Sequence, residues 1–276
     1  MTSSPHSPIL VLGGTGKTGR RVVARLQERG AAVRVGSRGG EPPFDWHDRA
    51  TWAPALRGAS AAYISYFPDI TVPGAPEAIA ELSRLAVAGG TRRLVLLSGR
   101  GEEEARRAEA ELQASGADWT IVRCSWFSQN FSEDYLREPV LAGEVALPVG
   151  DVPEPFVDAD DIADVAVAAL TEDGHAGELY ELTGPRLLTF ADAVGEIADA
   201  TGRDIRVTPV SHHDYAEELA GYGVPSDIVS LLRYLFTVVL DGRNASLADG
   251  VQRALGRPPR DFRDYALRAA AAGAWR

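Results

Sequence analysis

A chain of 276 residues is long enough for one large domain or two small ones, and at 45% hydrophobic and 24% charged it has the composition of an ordinary globular protein. A core of that size needs no staple, and the single cysteine, Cys124, excludes an intrachain disulfide and any cluster of cysteine ligands. The formal net charge of −11 argues against a duplex-binding protein, which needs a basic stripe over the phosphates, but leaves room for a local positive site holding an anionic cofactor.

Met1–Pro8 is polar and has no apolar stretch, so it is not read as a signal peptide. From there short apolar runs alternate with helical patterns. Ile9–Leu12 reads as a buried strand ending in glycines, and Lys17–Arg29 as a helix with Val22, Val23 and Leu26 on one face and Gly30 past its end. Ala32–Val35 is a second strand, Thr51–Leu56 a short helix, Ala61–Ser65 a third strand, and Pro76–Ala88 a helix stopped by Gly89-Gly90. Leu94–Leu97 is a fourth strand, Glu102–Ala114 a helix closed by Ser115-Gly116, and Trp119–Val122 a fifth strand. This alternation predicts an α/β fold with right-handed crossovers and a parallel sheet covered on both faces.

Beyond residue 138 the rhythm breaks. Leu141–Pro155 reads as loop, Asp160–Leu170 as an Ala-rich helix and Leu179–Leu182 as a further strand. From Thr189 the chain reads as mostly helical, with one extended piece at Ile205–Val210. The expected division is a cofactor-binding core over 1–150, with contributions from about 155–184, and a smaller, mostly helical substrate lobe over 185–276. The apolar stretch Ile228–Leu240 contains Arg233 and, at about 13 residues, is too short to span a membrane, so a cytoplasmic protein is expected.

The glycines at 13, 16 and 19 follow the first strand and open the first helix. A tight strand-to-helix turn needs residues without Cβ, so that a pyrophosphate can approach the backbone and rest on the helix N-terminus. Gly13, Gly14, Thr15, Gly16, Lys17 and Thr18 are the expected cradle. Gly16-Lys17-Thr18 also matches the tail of a nucleotide-triphosphate loop, but that pattern needs a glycine where Val11 stands inside the strand. An NAD site usually ends its second strand in an acid that holds the ribose 2′-hydroxyl. Here the strand ends Gly36-Ser37-Arg38, so Ser37 and Arg38 are expected on a 2′-phosphate, with Lys17 adding charge; the expected cofactor is NADP(H).

Several segments together resemble the NmrA-like branch of the atypical short-chain dehydrogenase/reductases. They are the glycine turn with Arg20-Arg21, then Phe44-Asp45-Trp46, then Ala114-Ser115-Gly116-Ala117-Asp118-Trp119-Thr120-Ile121-Val122-Arg123. Trp126-Phe127-Ser128-Gln129-Asn130-Phe131 follows, then Pro155-Phe156-Val157-Asp158 with Asp161-Ile162-Ala163, and finally Thr201-Gly202-Arg203 and Gly256-Arg257-Pro258-Pro259. The resemblance spans nearly the whole chain. It implies a Rossmann core, a doubly wound parallel sheet with a small C-terminal substrate lobe and NADP(H) in the cleft, with Asp45 and Trp46 near the adenine and Ser65, Tyr66 and Phe67 along the nicotinamide ribose. It also implies Ser98 and Cys124-Ser125-Trp126 beside the nicotinamide and substrate. Cys124 stands where the family often has proline.

Short-chain dehydrogenases usually carry Tyr-x-x-x-Lys, in which the lysine lowers the tyrosine pKa for proton transfer. This chain has no such pair: its only lysine is Lys17, and Glu102–Ala114 contains no tyrosine. Three readings follow. One is a reductase whose product needs no strong acid, acting on an iminium, a quinone or an enone by orienting the acceptor against the nicotinamide; the resemblance supports it through fungal members that reduce iminium intermediates and relatives that reduce quinones. The second is an NADP(H)-binding sensor without turnover, as the resemblance allows. The third is a non-redox isomerase. Ser98 and Tyr66 are the catalytic candidates, each weighed against a role as backbone partner or pocket wall. Arg100, Trp126, Phe127 and Asn130 are the candidates for substrate contact; for Arg100 the alternative is a surface arginine, for the aromatic residues core packing.

Cys124 is expected to be a small buried hydrophobe. His212-His213-Asp214 is read as the polar lead-in to a helix rather than a metal site, because adjacent residues diverge. Glu102-Glu103-Glu104 and Asp158, Asp160 and Asp161 are read as carboxylates at helix N-termini. No metal, nucleic acid or membrane partner is expected; the expected partner is a small-molecule substrate, and the expected state a monomer or homodimer.

Overall fold

The computed structural model describes residues 7–276, so the reading of Met1–Pro8 lies, as far as His6, outside the described residues. In chain order the elements are β1 (Ile9–Leu12), α1 (Lys17–Glu28), β2 (Val33–Gly36), α2 (Trp52–Leu56), β3 (Ala61–Ile64), α3 (Ala75–Ala88), β4 (Arg93–Gly99), α4 (Glu103–Ala114) and β5 (Asp118–Cys124). There follow α5 (Asn130–Glu133), α6 (Arg137–Ala142), β6 (Glu144–Leu147), α7 (Ala159–Thr171), β7 (Glu178–Leu182), α8 (Phe190–Thr201) and β8 (Arg206–Pro209). The last are α9 (His212–Gly221), α10 (Ser226–Tyr234) with a π-helical turn at Leu235–Val239, α11 (Gly250–Leu255) and α12 (Phe262–Ala271).

The chain forms two compact units. One comprises residues 7–124, Ala159–Leu182 and Asp249–Arg257; the other Ser125–Asp158, Thr183–Ala248 and Pro258–Arg276. The sequence carries the first domain to about residue 150, whereas the chain leaves the first unit after Cys124 and returns to it twice. Long-range pairing explains both returns. β7 pairs with β5, and α11 packs on β7 so closely that a Cβ on Gly250 would lie 2.2 Å from the Glu181 carbonyl oxygen.

The first unit is built on a parallel sheet in the order β2-β1-β3-β4-β5-β7, as the alternation of strands and helices predicts. The chain moves outward from β1 to β2 and then crosses to β3, so the topological switch lies between β1 and β3. Every residue of β1 and β3 is buried, as expected of strands covered on both faces. Leu10, Leu12, Ala62, Ile64, Leu94 and Leu96 share a core with Ile79 and Leu82 of α3 and Ala105, Ala108 and Leu112 of α4.

Helix α1 packs against α7. Asp160 accepts from Arg21 and Arg25, Asp164 from Arg25 and Arg257, and the fully buried Asp161 pairs with Arg257 at 2.8 Å. Asp160 and Asp161 do open α7, but with Asp164 they hold neighbouring segments together through guanidinium groups, and Asp158 is likewise engaged by Arg268, which is more than a helix-end role.

The second unit has an aromatic core in which Phe156 meets Phe190 at 5.1 Å and Phe131 meets Phe262 at 5.6 Å. The segment 141–155 is not all loop: β6 pairs in parallel with β8, burying Val145 and Leu147. The pattern is too short to be legible locally, and its partner strand comes about 60 residues later. Helix α9 starts at His212, with the Ser211 hydroxyl accepting from the Asp214 N–H at 3.1 Å. No helix among the described residues is long and apolar enough to cross a membrane.

Candidate cofactor and catalytic site

The glycine turn has the geometry of a phosphate cradle. Gly13 has φ +66°, the left-handed region open to glycine, and the Gly16 N–H returns to its carbonyl at 2.9 Å. A Cβ on Gly19 would stand 2.1 Å from the Gly13 oxygen, so the helix can approach the turn only with glycine there. No side chain caps α1 at Gly16 and no acid lies in its first turn, which leaves the positive end of the helix dipole to an anion. Thr15 and Gly16 are exposed. Thr18 is buried and accepts a hydrogen bond from Tyr63 of β3 at 2.9 Å, an anchor rather than a ligand contact. These residues fit a dinucleotide pyrophosphate.

Beyond β2, the Ser37 carbonyl accepts from Gly40 and Phe44 and holds the loop folded. Arg38 is exposed and has no hydrogen bond or ion pair among the described residues. The Asp45 carbonyl accepts from the Trp52 indole at 2.8 Å, and its carboxylate from the His47 N–H. Trp46 reaches across to donate to the Ser65 carbonyl at 3.2 Å, and its ring lies 4.7 Å from Tyr66. Ser65 in turn touches the turn, since a Cβ on Gly13 would be 3.2 Å from its own Cβ. Gly13, Trp46, Ser65 and Tyr66 therefore meet at the carboxyl ends of β1 and β3. Phe67 is the most exposed of this group, at 61%. Burial raises the Tyr66 pKa, with Arg49 opposing and Glu77 adding to the rise, so this hydroxyl is not activated as an acid.

At the ends of β4 and β5 the side chains engage one another. Ser98 is buried, and its hydroxyl donates to Glu109 Oε1 at 2.6 Å. With its proton committed there, Ser98 does not offer a donor to a substrate oxygen. Arg123 binds Glu109 through Nε at 2.9 Å and Glu181 through a terminal nitrogen at 2.8 Å. Arg100 is not a surface arginine: it is 7% exposed, its N–H donates to the Cys124 carbonyl, and its guanidinium faces Glu181 at 3.4 Å. Cys124 is buried, its thiol 3.7 Å from the Val122 carbonyl, and burial pushes the thiol pKa well up, which suits a small hydrophobe.

In the second unit, half-buried Trp126 packs on Phe190 at 5.4 Å and Phe236 at 5.2 Å. Its indole nitrogen and the Tyr135 hydroxyl are buried without a closed hydrogen bond. Phe127 bridges to Val157, and Asn130 opens α5. A surface depression of about 550 Å³, lined by Arg34, Glu41, Pro42, Pro54 and Arg57 among others, contains none of the candidate residues.

Composition and motif leave Glu109 unnoticed and read Glu102 only as a carboxylate at a helix N-terminus. Glu109 organises Ser98 and Arg123, and both glutamates lie on the buried side of their helix with Ala105, Ala108 and Leu112. Their three- and four-residue spacing on that apolar stripe was the available signal.

Residues 43–173 match the family described as NAD(P)H-binding. The chain is 31% identical to festuclavine synthase II of Penicillium roqueforti, over 94% of this chain and 96% of that protein. It is 30% identical to an NAD(P)H azoreductase of Xenophilus azovorans, over 96% and 98%. Among solved structures, an NADPH-dependent quinone oxidoreductase of Escherichia coli in complex with NADPH superposes with a TM-score of 0.76, at 20% identity, over 94% of this chain and 98% of that one. With the parallel sheet and the glycine cradle, these similarities establish that the chain belongs to the NmrA-like family of atypical short-chain dehydrogenase/reductases, NAD(P)H-binding proteins of the Rossmann fold.

Proposed function

We propose that the protein is an NADP(H)-dependent reductase of a small planar or conjugated molecule. The observation that carries the reading is whole-chain similarity to proteins named for reducing such compounds, the azoreductase among them. When bound, the reduced nicotinamide supplies a hydride. The glycine turn holds the pyrophosphate on α1. Arg38, exposed beside Ser37 with no acid at the end of β2, pairs with a 2′-phosphate, which selects NADP(H) over NAD(H). Trp46, packed on Tyr66 and fixed to the Ser65 carbonyl, walls the dinucleotide. Orientation against the hydride donor and exclusion of water supply the rate.

Calorimetric titration with NADPH, NADP⁺ and NADH, followed by NADPH oxidation with quinones, enones, azo compounds and cyclic iminium ions, tests the reading. Tight NADPH binding with turnover of at least one class is the expected result. Tight binding with no turnover of any class would overturn it in favour of a sensor.

A further inference from the structure

Glu102 occupies the N-cap position of α4, yet its carboxyl makes no capping hydrogen bond. The side chain turns instead onto the end of β4, where a Cβ added to Gly99 would fall 2.2 Å from Oε2 and 2.5 Å from the carboxyl carbon. The residue is 8% exposed, and Oε2 is buried with no hydrogen-bond partner.

The groups that act on it are all acidic or neutral. The charges that act on it are those of Glu109 on α4 and Asp69 in the loop after β3, and its own charge acts on Cys124 of β5. Glu109 is held by Arg123 and Ser98, while Asp69 accepts from the Thr71 N–H and hydroxyl and has Lys17 as its nearby cation. Burial above all, then the charges of Asp69 and Glu109, pushes the Glu102 carboxyl well above the usual range. A buried carboxyl without cation or N–H donor persists as the neutral acid, which carries an O–H donor.

We propose that Glu102 is the proton donor of the reaction, standing in for the Tyr-x-x-x-Lys pair that the chain lacks. The proposal rests on the reductase reading. It places the acid at the carboxyl end of β4, where ligands of open α/β sheets bind. The acceptor gains a C–H, N–H or, in a quinone, an O–H bond from the hydride, and its π electron pair moves onto the conjugated oxygen or nitrogen at the far end of the system. That atom takes the Glu102 proton as the carboxyl O–H bond breaks. The acceptor is reduced by two electrons, the nicotinamide is oxidised by two, and the carboxylate recovers a proton from water. An iminium needs no proton, so a resident acid specifies acceptors whose reduction leaves an anion: quinones, enones and azo compounds.

Infrared spectroscopy of the full chain at neutral pH tests the acid directly, without cofactor. A protonated-carboxyl band is expected in the wild type and is expected to vanish in Glu102→Gln. Gly99→Ala keeps the acid but displaces it, since its Cβ meets only the flexible carboxyl end at closest approach, and is expected to remove or shift the same band. With a quinone or enone, Glu102→Gln is expected to lower kcat by about a hundredfold, to keep the NADPH Kd, and to lose the fall of kcat on the alkaline side. No protonated band in the wild type, or wild-type kcat and pH profile in Glu102→Gln, would overturn the proposal. So would an equal loss with an iminium acceptor. Failure of the wild type itself with every acceptor would overturn the reductase reading and the donor role together, and is recognised because no variant is involved.

Discussion

Gly19 and Arg38 separate what a single residue does for shape from what it does for charge. At Gly19 the obstacle to any side chain is the Gly13 carbonyl, 2.1 Å from the position of a Cβ, and backbone cannot step aside as a side chain can. Gly19→Ala is therefore expected to lower stability by about 1–3 kcal/mol, the ordinary cost of overpacking, and to weaken NADPH binding with it. Thermal melting with and without NADPH measures both. Arg38 has no structural partner to lose, so Arg38→Ala is expected to leave the melting temperature unchanged. A charge-assisted contact contributes about 1.5–3 kcal/mol, so NADPH affinity should fall about 10- to 100-fold while NADH affinity holds. Equal losses for the two cofactors would remove Arg38 from the 2′-phosphate. The glycine turn was legible in the sequence because its spacing is a local signal; the assignment of Arg38 rests on a local signal too, the missing acid, and the two titrations decide it. Ser98 and Arg100 were legible as positions at a strand end but not as partners: nothing near them in the chain announces Glu109 or Glu181.

The β4–α4–β5 layer is where element packing decides chemistry. Register places Ser98 beside Arg123 and Gly99 beside Cys124, and α4 lays Glu109 across both strands. Glu109 is 4% exposed at its side chain and Arg123 19%, so the pair is shielded enough that removing one partner matters. Glu109→Gln is expected to destabilise the protein by about 3 kcal/mol, near the lower end for a broken buried pair because Arg123 keeps Glu181 and some water. Ser98→Ala removes one neutral donor to the same carboxylate and is expected to cost about 1–2 kcal/mol. Denaturant unfolding of the two variants and of their double mutant measures the coupling. The helix itself was readable from its apolar stripe. By sequence Glu102 reads as an N-terminal acid, because three consecutive glutamates fit the helix dipole; only the third dimension shows that Glu103 and Glu104 serve that end while Glu102 turns inward.

Over the whole chain, the parallel sheet followed from the alternation of strands and helices. The division into units did not, because it depends on β7 joining β5 and on β6 finding β8 across a long stretch of chain. A buried acid with a raised pKa also marks the stability of the molecule as a whole. Between the unfolded glutamate value, about 4.3, and its higher folded value, Glu102 keeps its proton only in the folded state, so the unfolded state binds fewer protons and stability falls as pH rises. Glu102→Gln has no such group to ionise. Its melting temperature is expected to gain on the wild type as pH is raised through that window, and parallel curves would contradict the buried neutral acid.

Isotope transfer gives a direct readout of hydride transfer from NADPH without a tyrosine–lysine pair. NADPH deuterated at the reactive face of nicotinamide C4 would be mixed with the enzyme and a quinone, enone or azo acceptor, and the product analysed by mass spectrometry where the new bond is to carbon or by cofactor oxidation where it is to nitrogen or oxygen. Cofactor oxidation in step with product, and one deuterium in each carbon-reduced product, is the expected result. Tight NADPH binding with no oxidation, or carbon-reduced product without label, would contradict it.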